Sequence, residues 1–191
     1  MKIYLLDISA NMTSWWEKYF KNCNNVEVVC DEFSRFMNSH NDIQCIVSPA
    51  NSYGLMDGGY DLAITKYFGD ELQEKVQEYI IENLYGEQPV GTSIIVDIND
   101  RQKLIHTPSM RIPSRIKDPM VVYHCMRTCL MTALNNNIES IVIPAFGGAC
   151  GGLDFSVIAN MMYHAYDQVF NNVKKINWGV ARSWTPEYTL I

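Results

Sequence analysis

Ser48-Pro49-Ala50-Asn51-Ser52-Tyr53-Gly54-Leu55-Met56-Asp57-Gly58-Gly59-Tyr60-Asp61 joins two segments of different period. Before it, residues 43–48 form a short apolar run, the pattern of a strand buried on both faces. After it, from Asp61 to about residue 84, the pattern is helical, with a break expected at Gly69-Asp70. A buried strand that turns through glycines into a helix is the building unit of an α/β fold. Gly58-Gly59 permits positive φ and lets the backbone approach a ligand closely. Asn51 brings a carboxamide that both donates and accepts, and it reads either as a ligand contact or as a turn residue bonding its own backbone. Asp61 reads either as a partner of the helix N-terminus or as a functional carboxylate.

A second stretch repeats the design. Pro144-Ala145-Phe146-Gly147-Gly148-Ala149-Cys150-Gly151-Gly152-Leu153 follows an apolar run at 140–143 and leads into a helix over 154–170, with Asp154 expected as its N-cap. Glycine is entropically costly without a use. Four of them here, with the helix N-terminus, are expected to form an anion cradle rather than a flexible turn. A P-loop is excluded because no Gly-Lys-Ser/Thr follows. The dinucleotide fingerprint fails because Ala149 stands in its middle glycine slot, between Gly147 and Gly152.

Working outward, strands are expected at 2–6, 26–30, 93–98, 103–106 and 175–181, and helices at 13–21 and 118–136, with Pro119 in the first turn of the last. Asn99-Asp100-Arg101-Gln102 suggests an antiparallel hairpin between its flanking strands. The expectation is a single three-layer α/β/α domain over 1–191, with a mixed, mostly parallel central sheet and a ligand crevice beyond the strand carboxyl ends.

Composition narrows the function. The 191 residues are 48% hydrophobic, which excludes a disordered chain. No apolar run has membrane-spanning length, and Asp7 interrupts the N-terminal run too early for a signal-peptide core, so no membrane partner and a cytoplasmic location are expected. The net charge of −6 gives no strong nucleic-acid footprint. Six cysteines without a C-x-x-C pair suggest reduced thiols, and Cys125 and Cys129 beside His124 read as helix packing rather than a metal site. His106 reads as a structural histidine, and Arg111 either as a phosphate contact or as a solvated loop residue. Trp184 reads as edge packing before adenine stacking, and Trp15-Trp16 as an anchor for the first helix.

The paired loops, at this spacing and in this order of strands and helices, resemble the macrodomain family. The family's first loop runs Asn-Ala-Ala-Asn, then a triple glycine and Val-Asp or Val-Ala, and Ser48-Pro49-Ala50-Asn51 through Asp57-Gly58-Gly59-Tyr60-Asp61 is similar to it. Its second loop is similar to Ile143 through Gly152. The resemblance implies binding of ADP-ribose or a derivative between the loops, and hydrolysis of an ADP-ribosyl bond on an ADP-ribosylated substrate. The alternative it leaves is a module that binds or sequesters ADP-ribose or an NAD-derived nucleotide without catalysis. A third reading, a non-nucleotide domain with incidental glycine-rich turns, stands outside the resemblance.

The resemblance also implies roles. Asn51 would contact the distal ribose, and Asp61, with Asp57 assisting, would act at the scissile bond. Ala50, Gly58, Gly59 and Tyr60 would line the first loop's side. Pro144, Phe146, Gly147, Gly148, Ala149, Cys150 and Gly151 would hold the pyrophosphate and the distal end. Asp31 with Glu32 matches the turn that reads the adenine amino group, and Asp7-Ile8 is second choice. No cofactor is implied, and without a metal-ligand cluster the action is expected to be metal-independent. The chain departs from the pattern at Ser48 for asparagine, Asp57 for glycine, Glu32 for an apolar residue, Ala149 for glycine and Gly151 for a bulky aromatic.

Overall fold

A computed structural model describes residues 1–171, 175–184 and 186. Strands β1 (Lys2–Asp7), β2 (Val26–Cys30), β3 (Cys45–Ser48), β4 (Ile94–Asp97), β5 (Lys103–His106) and β6 (Ser140–Ile143) form one sheet in the order β2-β1-β6-β3-β5-β4. All neighbours are parallel except β4 and β5, which form the expected antiparallel hairpin. The sheet is therefore mixed and mostly parallel, with helices on both faces.

Period-two alternation assigns the faces. Ile3 and Leu5 of β1 point to one side, with Ile141 and Ile143 of β6. There they meet α1 (Ala10–Phe20), α5 (Met120–Asn135) and α6 (Phe155–Phe170) through Trp16, Met126, Cys129 and Met162. Tyr4 and Leu6 point to the other side with Ile46, Leu104 and Val142, against α2 (Phe33–Ser39), α3 (Gly59–Phe68) and α4 (Glu71–Leu84). Strands covered on both faces must be apolar throughout, which explains the unbroken runs of β3 and β6. Trp16 is fully buried and Trp15 packs beside it, so the pair anchors α1; Cys125 and Cys129 are buried core thiols.

The break after α3 falls where the glycine predicted it. Gly69 takes φ of +100° and its N–H bonds the Thr65 carbonyl at 2.7 Å, closing one helix before the next begins. Several boundaries differ from the sequence reading, and one element was missed. Ser9 caps α1 through the Met12 N–H, starting that helix at residue 10 rather than 13. Pro119 is the N-cap of α5 rather than part of its first turn. Residues 33–39, given no element from sequence, form α2, whose buried residues Phe33, Phe36 and Met37 hold helical spacing for under two turns.

One element is corrected outright. The strand expected at 175–181 does not form, and the short helix α7 (Trp178–Ser183) stands there instead. The Asn177 side chain accepts from the Val180 N–H at 3.0 Å and nucleates a helical turn. Ile176 and Trp178 are 76% and 79% exposed, so the apolar residues that suggested a strand are not buried in a sheet.

Candidate functional site

The carboxyl ends of β1, β2, β3 and β6 open onto one cleft of about 760 Å³, a size suited to a nucleotide-sized ligand. Its floor and walls take residues from both glycine-rich loops, from the turns after β1 and β2, and from Ser109, Met110 and Pro113 after β5. A smaller groove of about 420 Å³ at the β4 edge shares none of these residues.

The first loop is held by its own side chains. Asn51 Oδ1 accepts from the N–H groups of Tyr53 and Leu55 at 3.1 and 3.4 Å, and its Nδ2 donates to the Leu55 carbonyl at 2.7 Å. Asn51 thus organises the turn, as one of its two sequence readings expected, and it also lines the cleft. Gln73 accepts from the Met56 N–H at 2.7 Å and ties the loop to α4. Gly59 takes φ of +55°, and a Cβ there or on Gly58 would touch nothing, so this part of the wall is bare backbone. Gly58 is the N-cap of α3 and has no side chain to satisfy the first N–H groups of the helix, which leaves a positive helix end beside the cleft.

Asp61 stands in the first turn of α3 with 7% of its surface exposed. Its Oδ1 accepts from the Ser48 hydroxyl at 2.7 Å. Burial pushes its carboxyl up to about 7; the Ser48 bond acts against this, and the charge of exposed Asp57 adds to it. The Tyr60 phenol beside it is enclosed with no hydrogen-bond partner among the described residues, and burial, with the charges of Asp61 and Asp7, raises it well above its ordinary value. Its ring meets Phe33 edge-on at 5.3 Å.

The second loop is tightly wound. Gly147 takes φ of +79°, and a Cβ on it would lie 2.7 Å from the Ile116 side chain. A Cβ on Gly151 would lie 2.6 Å from the Gly147 carbonyl oxygen, and Ile116 donates its N–H to the Gly151 carbonyl at 3.0 Å. The N–H groups of Gly148, Ala149, Cys150 and Gly151 find no acceptor among the described residues. The α6 N-terminus is already occupied, because Asp154 accepts from the Ser156 N–H at 2.7 Å. The loop amides, rather than that helix end, are therefore the donors open to an anion.

At the far end, β1 and β2 bring two carboxylates to one edge. Asp7 accepts from the Ser9 N–H at 2.8 Å, and Asp31 from the Glu32 N–H at 2.8 Å. Arg35 lies 3.0 Å from Asp31 and 3.9 Å from Glu32. Partial burial raises the Asp7 carboxyl above its usual range. Asp7, Ile8, Asp31 and Glu32 all line the cleft, so the first and second choices from sequence share one wall.

Every sequence-predicted site residue lines the cleft except Phe146, which is fully buried in the core. Its side chain fills the space beneath the second loop. His106 is also buried; it bonds Gln88 through Nδ1 at 2.7 Å, and burial pushes it down to about 3. Arg111 grips Glu87 with two bonds of 2.7 and 2.9 Å and lies over the Tyr53 ring, away from the cleft wall. Trp184 is the C-cap of α7 and does not line the cleft. Sequence reasoning missed Ser109 and Met110, which carried no motif, and the role of Ser48, which it had read only as a departure. Among the described residues, no cluster of three or more His, Cys, Asp or Glu is placed to hold a metal, and no helix is long and apolar enough to cross a membrane.

Comparison with known proteins agrees with this geometry. A family model described as Macro domain matches residues 47–162. An uncharacterised protein of Aquifex aeolicus is 29% identical over 123 residues, covering 63% of this chain and 71% of that protein. The Oceanobacillus iheyensis macrodomain with ADP is similar at 26% identity and a TM-score of 0.59, covering 66% of this chain and 69% of that one. A glycine-to-valine mutant of the same macrodomain with ADPR gives 25% identity and a TM-score of 0.59, covering 66% of this chain and 70% of that one.

Proposed function

The chain belongs to the Macro domain family, and on that footing we propose that its cleft binds ADP-ribose or a close derivative and hydrolyses an ADP-ribosyl bond. The observation that carries this reading is Asp61, a buried carboxylate with a single hydrogen-bond partner among the described residues, in a cleft flanked by two glycine-rich loops. The free amides of Gly148, Ala149, Cys150 and Gly151 hold the pyrophosphate. Asp31 accepts from the exocyclic amine of the base. The bare backbone of Gly58 and Gly59 lets the sugar approach, and the Asn51 carboxamide, already fixed by its loop, meets the distal ribose. Asp61 draws a proton from the water that attacks the anomeric carbon, and Asp57 helps to orient that water. Rate comes chiefly from positioning and fixed donors.

The chain acts as a single domain in a reducing, cytoplasmic setting, which its free thiols suit. Its chemistry needs no metal, and inhibition by chelators would count against that.

The test has two arms. Calorimetry should give micromolar binding of ADP-ribose, much tighter than AMP, and no binding would remove the reading. Asp61→Ala should then abolish release of ADP-ribose from ADP-ribosylated protein, nucleic acid or small acceptors while binding persists within about threefold. Persistent turnover would defeat the assigned role. The engagement of Asn51 by its own loop favours a second reading, binding without catalysis. Tight binding with no turnover by the unaltered protein would select it.

A further inference from the structure

Resting on the hydrolytic reading above, we propose that Ser48 is a positioning residue: its hydroxyl holds one oxygen of Asp61 so that the other faces the cleft and takes a proton from the attacking water.

Ser48 closes β3 and is fully buried. Its backbone is locked, since its carbonyl accepts the Thr107 N–H at 3.0 Å in the β3–β5 pairing. The side chain therefore has a fixed base from which to reach α3, and Oγ meets Asp61 Oδ1 at 2.7 Å. No other described residue donates a hydrogen bond to that carboxylate. The N-cap is Gly58, so Asp61 does not cap the helix, and its Oδ2 has no hydrogen-bond partner among the described residues. The groups facing Asp61 are Asp57 from the loop and the Tyr60 phenol, which also feels Asp7 at the end of β1. No cation is among them. Among the described residues, Ser48 is thus the one group that orients the carboxylate by a hydrogen bond, beside the positive N-terminus of α3.

A hydroxyl can hold this post in both protonation states of the carboxyl. It donates to the carboxylate, and it can still donate to the C=O oxygen once Oδ2 carries a proton. Asp61 can stay in place through the whole cycle. In that cycle the water oxygen bonds to the anomeric carbon and its proton goes to Oδ2. The bond from the anomeric carbon to the acceptor atom breaks, with its electron pair going to the acceptor. The proton then passes from Oδ2 to the acceptor, restoring the carboxylate.

The experiment is a pH–rate profile on an ADP-ribosylated substrate for the unaltered protein, Ser48→Ala and Ser48→Cys, with carbon-13 titration of the Asp61 carboxyl in parallel. Ser48→Ala should move the rising limb and the carboxyl midpoint upward by about one pH unit. Turnover at pH 6 should then fall about tenfold, while the Kd for ADP-ribose changes less than about twofold. Ser48→Cys fills the same space with a weak donor and should behave like Ser48→Ala, which excludes a packing effect. A folded Ser48→Ala protein with unmoved limb and midpoint would overturn the proposal. Should the unaltered protein hydrolyse nothing, the hydrolytic reading falls with it, and the carboxyl titration alone still shows whether Ser48 governs Asp61.

Discussion

At the residue scale, two buried titratable side chains pull stability in opposite directions with pH. Asp61 is raised to about 7 by burial, above the ordinary carboxylate value of about 3.9. Its favourable contribution is present at low pH and is lost as pH rises through 7. His106 is lowered by burial to about 3, below the ordinary histidine value of about 6.5. Its contribution is present above 6.5 and is lost as pH falls towards 3. Asp61→Asn should therefore stabilise the fold at pH 8 by on the order of a few kcal/mol, read as a higher melting temperature, and do little at pH 4. Equal melting at both pH values would show that Asp61 is not held protonated by the fold. The Ser48–Asp61 bond could not be read from the sequence, because the twelve residues between them are mostly an irregular loop whose closure only β3 and α3 together determine. Asp61 itself was legible as a carboxylate at a helix start, and Asn51 as a turn residue in a glycine-rich loop.

At the element scale, the two loops use glycine for different reasons. Gly59 needs positive φ but has open space around it, whereas Gly151 has no room for a Cβ against the Gly147 carbonyl. Gly59→Ala should cost about 1 kcal/mol of stability through backbone strain and leave the second loop intact. Gly151→Ala must displace backbone, and should cost about 1–3 kcal/mol and weaken ADP-ribose binding at least tenfold. Urea melts and calorimetry on both variants check this, and equal effects on binding would refute the distinction. Legibility at this scale followed the length and burial of each element. β3 and β6 read correctly because burial on both faces makes them apolar throughout. The α3–α4 break read correctly because Gly69 alone can adopt its φ. α2 was lost because seven residues give too few helical repeats to show a period. The run at 175–181 was misread because apolar residues suggested burial where Ile176 and Trp178 are exposed.

At the scale of the whole molecule, parallel pairing gathers residues far apart in sequence onto one edge of the sheet. Asp7 and Asp31 meet because β1 and β2 run side by side, with the Asp31 N–H on the Asp7 carbonyl at 3.2 Å. The sequence left open which aspartate faces the cleft; the topology puts both on one wall of it. Topology leaves the anion cradle with one cation at its rim, Arg115, whose guanidinium donates to the Gly152 carbonyl at 3.5 Å. Its donors are the uncharged amides of Gly148 to Gly151, Asp57 and Asp61 lie across the cleft, and the whole chain carries a net charge of −6. The proposed pyrophosphate would thus be repelled at a distance by the net charge of −6 and attracted only close to the amides and Arg115. Sites built from lysine and arginine lose affinity as salt rises, because screening weakens the attraction that draws the ligand in. Here screening removes a barrier instead, so stopped-flow capture of ADP-ribose should grow faster, not slower, between low and physiological ionic strength, with the rate of release nearly unchanged.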